Sequence, residues 1–484
     1  MARTGSVVLI HALEEPNTLP VMTGSVFGTP GRSWYNASHS SRAADHGAEL
    51  PADANTASPH RYCAGRPIMT RIGGRRVARS PGTAFESPTL TESSRAVLRV
   101  LALHGPVTRP RLGVMLDLSK PTMSAAVTEL GALGLVTAHG VEKGGIGRTA
   151  MVYGLGPAAG YVIGVDVGAA QVRAVAHSLD GRALASAELR IEPQPGATAA
   201  RIGDVVLASA QQIIRAVGGK HGILRSVAVA VPRIVSEHRL GSDPVNGPEV
   251  PLGPLRARIA APILLENNVN CAAIGEMSYG AAQGRGTFAY LQVGVRIGLG
   301  IISEGRLYRG AGGAAGEVGR LPFPWSSTAM PKREELEHYL GAHAFTARCA
   351  ASWPVGHGAP PVSAKELFAM AEMGSRPARD CVFRHAGDIG RLVAACIGML
   401  DPGLVVLGGG VGQNPLAIDE IRRVATDLTW PTQIAVSPLA DGGTVLGAMK
   451  LAADYGLGLL LQDERHPAVV LPPLPRKGGR AMAS

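Results

Sequence analysis

Apolar positions first recur at helical spacing at Val97, Leu98, Leu101 and Ala102, in a segment from Ser94 to His104 that Gly105-Pro106 stops. Val107-Thr108 leads into a second short helix through Arg109-Pro110-Arg111 to Leu116, with proline tolerated in a first turn. A third helix begins at Leu118-Ser119. Ser119 is placed to cap it, Pro121 fits its first turn, and Met123, Val127 and Leu130 recur as a buried stripe. The opposite face carries Lys120, Thr122, Ser124, Ala125 and Thr128, all small or polar apart from the lysine stem, and the capping Ser119 is counted with them as a candidate DNA contact. Gly134-Leu135-Val136 then turns the chain into two strands. These flank a glycine-rich loop, residues 142–149, that holds Lys143 and Arg148, and they end in Met151-Val152-Tyr153.

Beyond residue 158 the pattern changes to short buried strands alternating with helices. Tyr161 to Ala170 is a strand ending in a tight turn, Gln171 to Ala176 its hairpin partner, and residues 179–182 the next turn. A helix follows over about 197–218, then the strand Val227 to Val231, closed by Pro232. The pattern repeats: strands at 288–293 and 298–302, a continuation at 305–307, helices at about 334–350 and 378–400, and a strand at 404–407 that ends in Gly408-Gly409-Gly410. Two similar halves predict two lobes with a cleft between them.

Between the halves lies Leu265-Glu266-Asn267-Asn268-Val269-Asn270, where an apolar strand gives way to a small-residue helix. Polar side chains at such a switch point into a ligand crevice, or they simply cap the helix.

Composition alters this picture at the ends. Residues 1–88 lack periodicity and are broken by eight prolines, so they cannot bury enough apolar area to offset chain entropy. The segment reads as disordered, or as a misassigned start with the natural chain beginning at or after Met69. Residues 466–484 read as a flexible tail. No run of about 18 apolar residues suggests a membrane span. Five scattered cysteines (63, 271, 349, 381 and 396) without a C-x-x-C pair fit a reducing cytoplasm.

Charge is uneven as well. The chain carries +10 net, and residues 61–150 hold 13 Lys and Arg against 5 Asp and Glu. The arginines at 61, 66, 71, 75, 76 and 79 read as a solvated tail. The order of three helices and then a basic glycine-rich hairpin, inside the charged zone, fits a winged helix-turn-helix on double-stranded DNA. The third helix would enter the major groove, and the hairpin tip, Arg148 more than Lys143, would meet phosphates or the minor groove.

The chain from about residue 89 to 460 resembles the ROK family (repressors, open reading frames and kinases). The resemblance rests on the order and spacing of several pieces: residues 118–124, Gly147-Arg148, residues 164–168 and 266–270, Gly313-Ala314-Ala315-Gly316-Glu317-Val318-Gly319, Leu336-Glu337, Asp401-Pro402 through Gly408-Gly409-Gly410, and Leu446-Gly447-Ala448. It implies an α/β architecture. A two-lobed actin-like/hexokinase-like domain (158–465) would follow an α+β winged helix-turn-helix domain (89–157) and the disordered N-terminal segment. Family kinases phosphorylate sugars with ATP; family repressors bind DNA and respond to sugars or sugar derivatives.

Three departures oppose kinase activity. Where family kinases carry the Asp that deprotonates the sugar hydroxyl, this chain has Asn268, and general base catalysis contributes roughly 10²–10⁴-fold. The first phosphate turn, Asp166-Val167-Gly168-Ala169-Ala170, lacks a glycine and a hydroxyl relative to the family pattern. The second, Gly294-Val295-Arg296-Ile297-Gly298, adds bulk where bare backbone would cradle phosphate. The family zinc site is missing its histidine, replaced by Arg320, and its cysteine cluster. Its segment is expected to hold by packing.

By resemblance the sugar contacts map onto Asn267, Asn268, Glu317, Glu337 and, more loosely, Asn246. Arg320 and Arg233 are additions near the cleft that fit an acidic or phosphorylated ligand, or else fill the pocket. The expectation is a cytoplasmic regulator, a repressor of carbohydrate-related genes, with no cofactor, metal or catalytic residue. It would bind its operator as a homodimer or homotetramer. The alternatives are an ATP-dependent sugar kinase with an atypical site, and a regulator that needs no effector.

Overall fold

The computed structural model describes residues 7–8, 88–143, 149–192, 198–237, 251–324, 329–463 and 469–474. Within the segment expected to be disordered, strand β1 (Val7–Val8) pairs antiparallel with the backbone at Ala187 and Ser186. The rest of that expectation lies outside the described residues.

The first three-helix unit comprises α1 (Glu92–His104), β2 (Val107–Thr108), α2 (Arg109–Leu116) and α3 (Lys120–Ala132), followed by the hairpin of β3 (Val136–Lys143) and β4 (Thr149–Leu155). Val97, Leu98, Leu101, Leu112, Met123, Val127 and Leu130 are buried in its core. Helix α1 starts two residues before the expected Ser94, because the Thr91 hydroxyl accepts from Ser94 N at 3.3 Å and sets the cap earlier. Val107-Thr108, expected only as a lead-in, is a strand against Tyr153 and Val152.

Next come β5 (Tyr161–Val167), β6 (Gln171–Ser178), β7 (Ala183–Arg190), α4 (Thr198–Val217), β8 (Leu224–Val231), α5 (Gly253–Arg258), β9 (Ile263–Asn267) and α6 (Asn268–Tyr279). The second half holds β10 (Phe288–Val293), β11 (Ile297–Ser303), β12 (Arg306–Leu307), α7 (Glu335–Leu340), α8 (Ala342–Ala351), α9 (Ala364–Glu372) and α10 (Arg376–Leu400). It closes with β13 (Leu404–Gly408), α11 (Gly409–Gly412), α12 (Pro415–Leu428), β14 (Gln433–Val436), α13 (Gly443–Leu461) and β15 (Val469–Leu471).

The seven-stranded sheet runs β1-β7-β6-β5-β8-β9-β15, and the five-stranded sheet runs β12-β11-β10-β13-β14. Each contains the same core: a first strand that continues on one side into an antiparallel meander of two further strands, and on the other side pairs in parallel with a strand that itself pairs in parallel with the next. The internal repeat read from the sequence is thus a repeat of topology.

Two expectations need correction. Residues 334–350 are not one helix. The chain breaks at Gly341, where an added Cβ would lie 2.7 Å from Glu337 O and 2.9 Å from Val295 O, so the backbone of a distant turn occupies that space. Residues 466–484 are not wholly a loose tail either. Val469-Val470-Leu471 pairs with Leu265, Leu264 and Ile263 and closes the open edge of β9.

Helices α6 and α13 pack against each other at backbone range. A Cβ on Gly447 would sit 1.7 Å from Cys271 O, so this crossing requires glycine. The segment Ala440–Leu461 is apolar and long enough to cross a membrane by composition, yet half of its window is buried in this fold against α6, β5 and β8. Helix α13 also meets α1, and apolar side chains of both join one buried cluster.

Candidate ligand cleft and DNA-facing helix

The cleft is built from the end of β9. Five apolar or polar residues of that strand are buried, and the chain turns directly into α6 at Asn268. Asn267 is the helix cap: its Oδ1 accepts from Val269 N at 2.8 Å and Asn270 N at 3.2 Å. Its Nδ2 donates to Arg233 O at 3.0 Å. Both readings of this stretch therefore meet in one side chain, which caps the helix and lines the cavity. Glu266 lies beneath, 2% exposed. Its Oε1 accepts from Asn267 N at 2.8 Å and Asn270 Nδ2 at 3.0 Å. Its Oε2 receives Arg309 Nε at 2.7 Å and Nη2 at 2.7 Å, from just beyond β12 in the other lobe.

The cavity above this floor has a volume of about 340 Å³. It gathers Asn267, Asn268, Glu317, Arg320 and Glu337 from β9, α6, a short 3₁₀ turn (Val318–Arg320) with the residue before it, and α7. Asn246 lies outside the described residues. Sequence reasoning missed Gln292, Arg296, Glu334 and His338, which also line the cavity. Nothing in their local sequence marks them, because strand ends and loops from different lobes bring them together.

Electrostatics revise the reading of the added arginines. Arg320 Nε contacts Glu317 Oε2 at 3.1 Å and its Nη1 contacts Glu334 Oε1 at 2.7 Å. Its charge is already matched by two carboxylates, so it gives no ground for an acidic ligand. Burial raises the Glu317 carboxyl above its ordinary range, while Arg320 opposes the shift. Glu337 Oε2 accepts from Ile297 N at 3.3 Å, which ties α7 to the second phosphate-type turn. Arg233 is buried, with its carbonyl held by Asn267.

At the first phosphate-type turn, Gly168 N donates to Gln171 O at 3.0 Å, closing the hairpin on itself. At the second, Gly294 N donates to Arg296 O at 3.1 Å, and Val295 is 56% exposed. Gly408 packs where a Cβ would lie 2.1 Å from the Tyr290 hydroxyl, a structural reason for that glycine. The segment of the family's zinc site packs Phe323 on Tyr339 with ring centroids 4.6 Å apart.

Asp166 is partly buried at the end of β5. Burial, opposed by Arg173 and assisted by Asp441, pushes its carboxyl up from 3.8 to about 6. A raised carboxylate pKa means the folded state is penalised above pH 6 and relieved as pH falls through 6 toward 3.8. Asp166→Asn is therefore expected to stabilise the protein at pH 8 by up to about 3 kcal/mol, with the gain shrinking by pH 5. Urea midpoints at the two pH values check this; an equal gain at both would refute it.

On α3, Met123, Ala126, Val127 and Leu130 are buried while Ser119, Lys120, Thr122, Ser124, Ala125 and Thr128 are exposed. Ser119 Oγ accepts from Thr122 N at 3.3 Å and shares a 2.8 Å hydrogen bond with Thr122 Oγ1. Glu129 fixes α3 to the start of α1, accepting from Ser94 Oγ at 2.7 Å and Thr91 Oγ1 at 2.8 Å. Those hydrogen bonds, that of Ser94 first, hold its carboxyl below the usual range. The Arg109 guanidinium lies 4.6 Å from the centre of the Tyr153 ring, joining α2 to the hairpin. Lys143 pairs its backbone with Thr149. Its side chain and Arg148 lie outside the described residues.

The sequence model of the ROK family matches residues 162–455. The xylose repressor of Caldicellulosiruptor bescii is 24% identical over 380 residues, covering 73% of this chain and 94% of its own length. A crystal structure of a ROK family transcriptional regulator, a homolog of the E. coli MLC protein, superposes with a TM-score of 0.60 at 19% identity, over 76% of this chain and 97% of its own. A ROK family glucokinase from Streptomyces griseus, in complex with glucose and AMPPNP, gives a TM-score of 0.52 at 25% identity, over 61% of this chain and all of its own.

Proposed function

The chain belongs to the ROK family, and from that premise we propose that it is a cytoplasmic, sugar-responsive transcriptional repressor acting on carbohydrate-related genes. The observation that carries the reading is the pairing of two features in one chain. One is a helix with an exposed polar face, opposite a buried stripe, in a winged helix-turn-helix. The other is a kinase-like cleft whose general-base position is the amide Asn268. A relative that aligns over 94% of its own length is named a xylose repressor.

In this reading Ser119, Lys120, Thr122, Ser124 and Thr128 meet DNA, and the hairpin with Lys143 and Arg148 acts as the wing. A sugar or sugar derivative sits over Asn267, Asn268, Glu317 and Glu337, with Arg320 holding the Glu317 carboxylate in place and Asn246 as a further contact. Amides and carboxylates suit hydroxyl groups in fixed geometry. Asn268 uses Oδ1 on Val269 N at 3.0 Å, which leaves Nδ2 as a donor for the ligand. The cleft reaches the DNA-binding unit by packed helices: the ligand meets the start of α6, α6 crosses α13, and α13 meets α1. A ligand that prefers one lobe arrangement would bias the placement of α3 in a symmetric oligomer on a palindromic operator.

The test is retardation of the DNA upstream of its own gene, with and without a panel of neutral sugars. Retardation that one sugar changes is expected, and unaltered mobility of every genomic fragment would defeat the reading. ADP release from ATP over the same panel is expected to stay at background. Release that disappears in Asn267→Ala would instead establish a kinase.

A further inference from the structure

A second cavity lies wholly in the second lobe, between α8, α10 and α12, and shares no lining residue with the cleft. We infer that it is a binding site for a small organic anion bearing a carboxylate or phosphate group. Its volume is about 560 Å³; four arginines (348, 384, 391 and 423) line it with two carboxylates, Asp388 and Glu420, and Arg423 also pairs with Asp427 at 2.8 Å, which still leaves the arginines in excess.

Those carboxylates are already used. Asp388 accepts from Tyr339 Oη at 2.9 Å, Arg391 Nη1 at 2.8 Å and Arg348 Nη1 at 3.4 Å. Glu420 takes two bonds from Arg423, each 2.7 Å. What remains is a set of donors. Arg384 Nη2 reaches the Cys381 sulfur at 3.4 Å, a weak acceptor for a guanidinium.

Arg348 Nη2 lies 3.0 Å from His385 Nδ1. Arginine can only donate, so Nδ1 must accept, and the neutral ring carries its proton on Nε2. Burial and then Arg348 push the imidazole down to about 3, which keeps it neutral across the working range. The ring is 3% exposed and stacks on Phe345 with centroids 3.9 Å apart, so it cannot swing away. Its Nε2–H, like Arg348 Nε, is buried without a partner among the described residues. A buried donor without a partner is unfavourable unless something binds it. Every unsatisfied group in this cluster donates, so the fitting ligand is rich in acceptors and negatively charged. Phe345, Cys349 and Val424 supply apolar lining for its carbon skeleton.

The site is independent of the DNA-binding reading, and so is its test. The full chain is titrated by calorimetry with inorganic phosphate and, separately, with citrate. Saturable heat from at least one is expected; phosphate alone points to a phosphate-bearing ligand and citrate alone to a carboxylate. Arg384 is exposed, so Arg384→Met should fold and should weaken binding about tenfold or more, the loss of one charged hydrogen bond. His385→Phe keeps the stack and should weaken it too, whereas Asn268→Ala in the cleft should not. No saturable heat with either probe, unchanged affinity in both pocket variants, or loss of binding in Asn268→Ala would each overturn the inference.

Discussion

Replacing Arg309 by methionine is expected to cost about 3–5 kcal/mol of stability, the range for removing one partner of a buried ion pair. The Glu266 carboxylate is 2% exposed, and Arg309 supplies both contacts to its Oε2 at 2.7 Å. Without the guanidinium, the charge stays buried with only amide donors on its other oxygen. The same carboxylate positions Asn267 and Asn270, so the turn that floors the cleft loses its brace. Sugar affinity should therefore fall along with stability. The double variant Arg309→Met/Glu266→Gln removes the stranded charge and should recover a large part of the loss. Urea unfolding of the two single variants and the double variant, read as a cycle, checks the claim. Additive losses would mean that the pair does not act as a unit.

That ion pair also marks where the sequence stopped being legible. Glu266 stood within a motif that could be read, but Arg309 is 43 residues away and in the other lobe. No periodicity or turn chemistry connects the two. Arg320 illustrates the same limit: its residue type suggested an anionic ligand, and only the fold brought Glu334 to neutralise it. The break at Gly341 was hidden for a similar reason, since one of the two carbonyl oxygens that crowd a side chain there belongs to the distant Val295. Strand β15 went unseen because three apolar residues near a chain end become a strand only against an open edge.

What could be read was local or repeated. Ser119 three residues before Thr122, with Met123, Val127 and Leu130 behind, specifies a capped helix with one dry face, and that helix forms. The alternation of buried strands and helices, occurring twice, gave two sheets of one topology. The cleft residues Asn267, Asn268, Glu317, Arg320 and Glu337 were found through the resemblance to a family, and they do converge on one cavity. Their convergence is a long-range property that spacing alone does not encode.

The exposed face of α3 carries the other large expected effect. Ser124 stands one turn from both Lys120 and Thr128, exposed at the flank of the buried stripe of Met123 and Val127. Ser124→Glu would place a carboxylate where the polyanionic duplex closes on the helix. Like charges brought together at an interface cost several kcal/mol, so operator affinity should fall by about a hundredfold or more. Raising the salt should not rescue it, since the contacts that remain are themselves weakened by salt. Lys120→Gln should behave differently, with a smaller loss and a salt dependence shallower by about one unit of slope, the signature of one lost phosphate contact. Both side chains are exposed, so thermal unfolding and sugar binding should match the unaltered protein. Fluorescence anisotropy on the operator at several salt concentrations distinguishes the two variants. If Ser124→Glu bound as tightly as the parent, α3 would not be the helix that enters the groove.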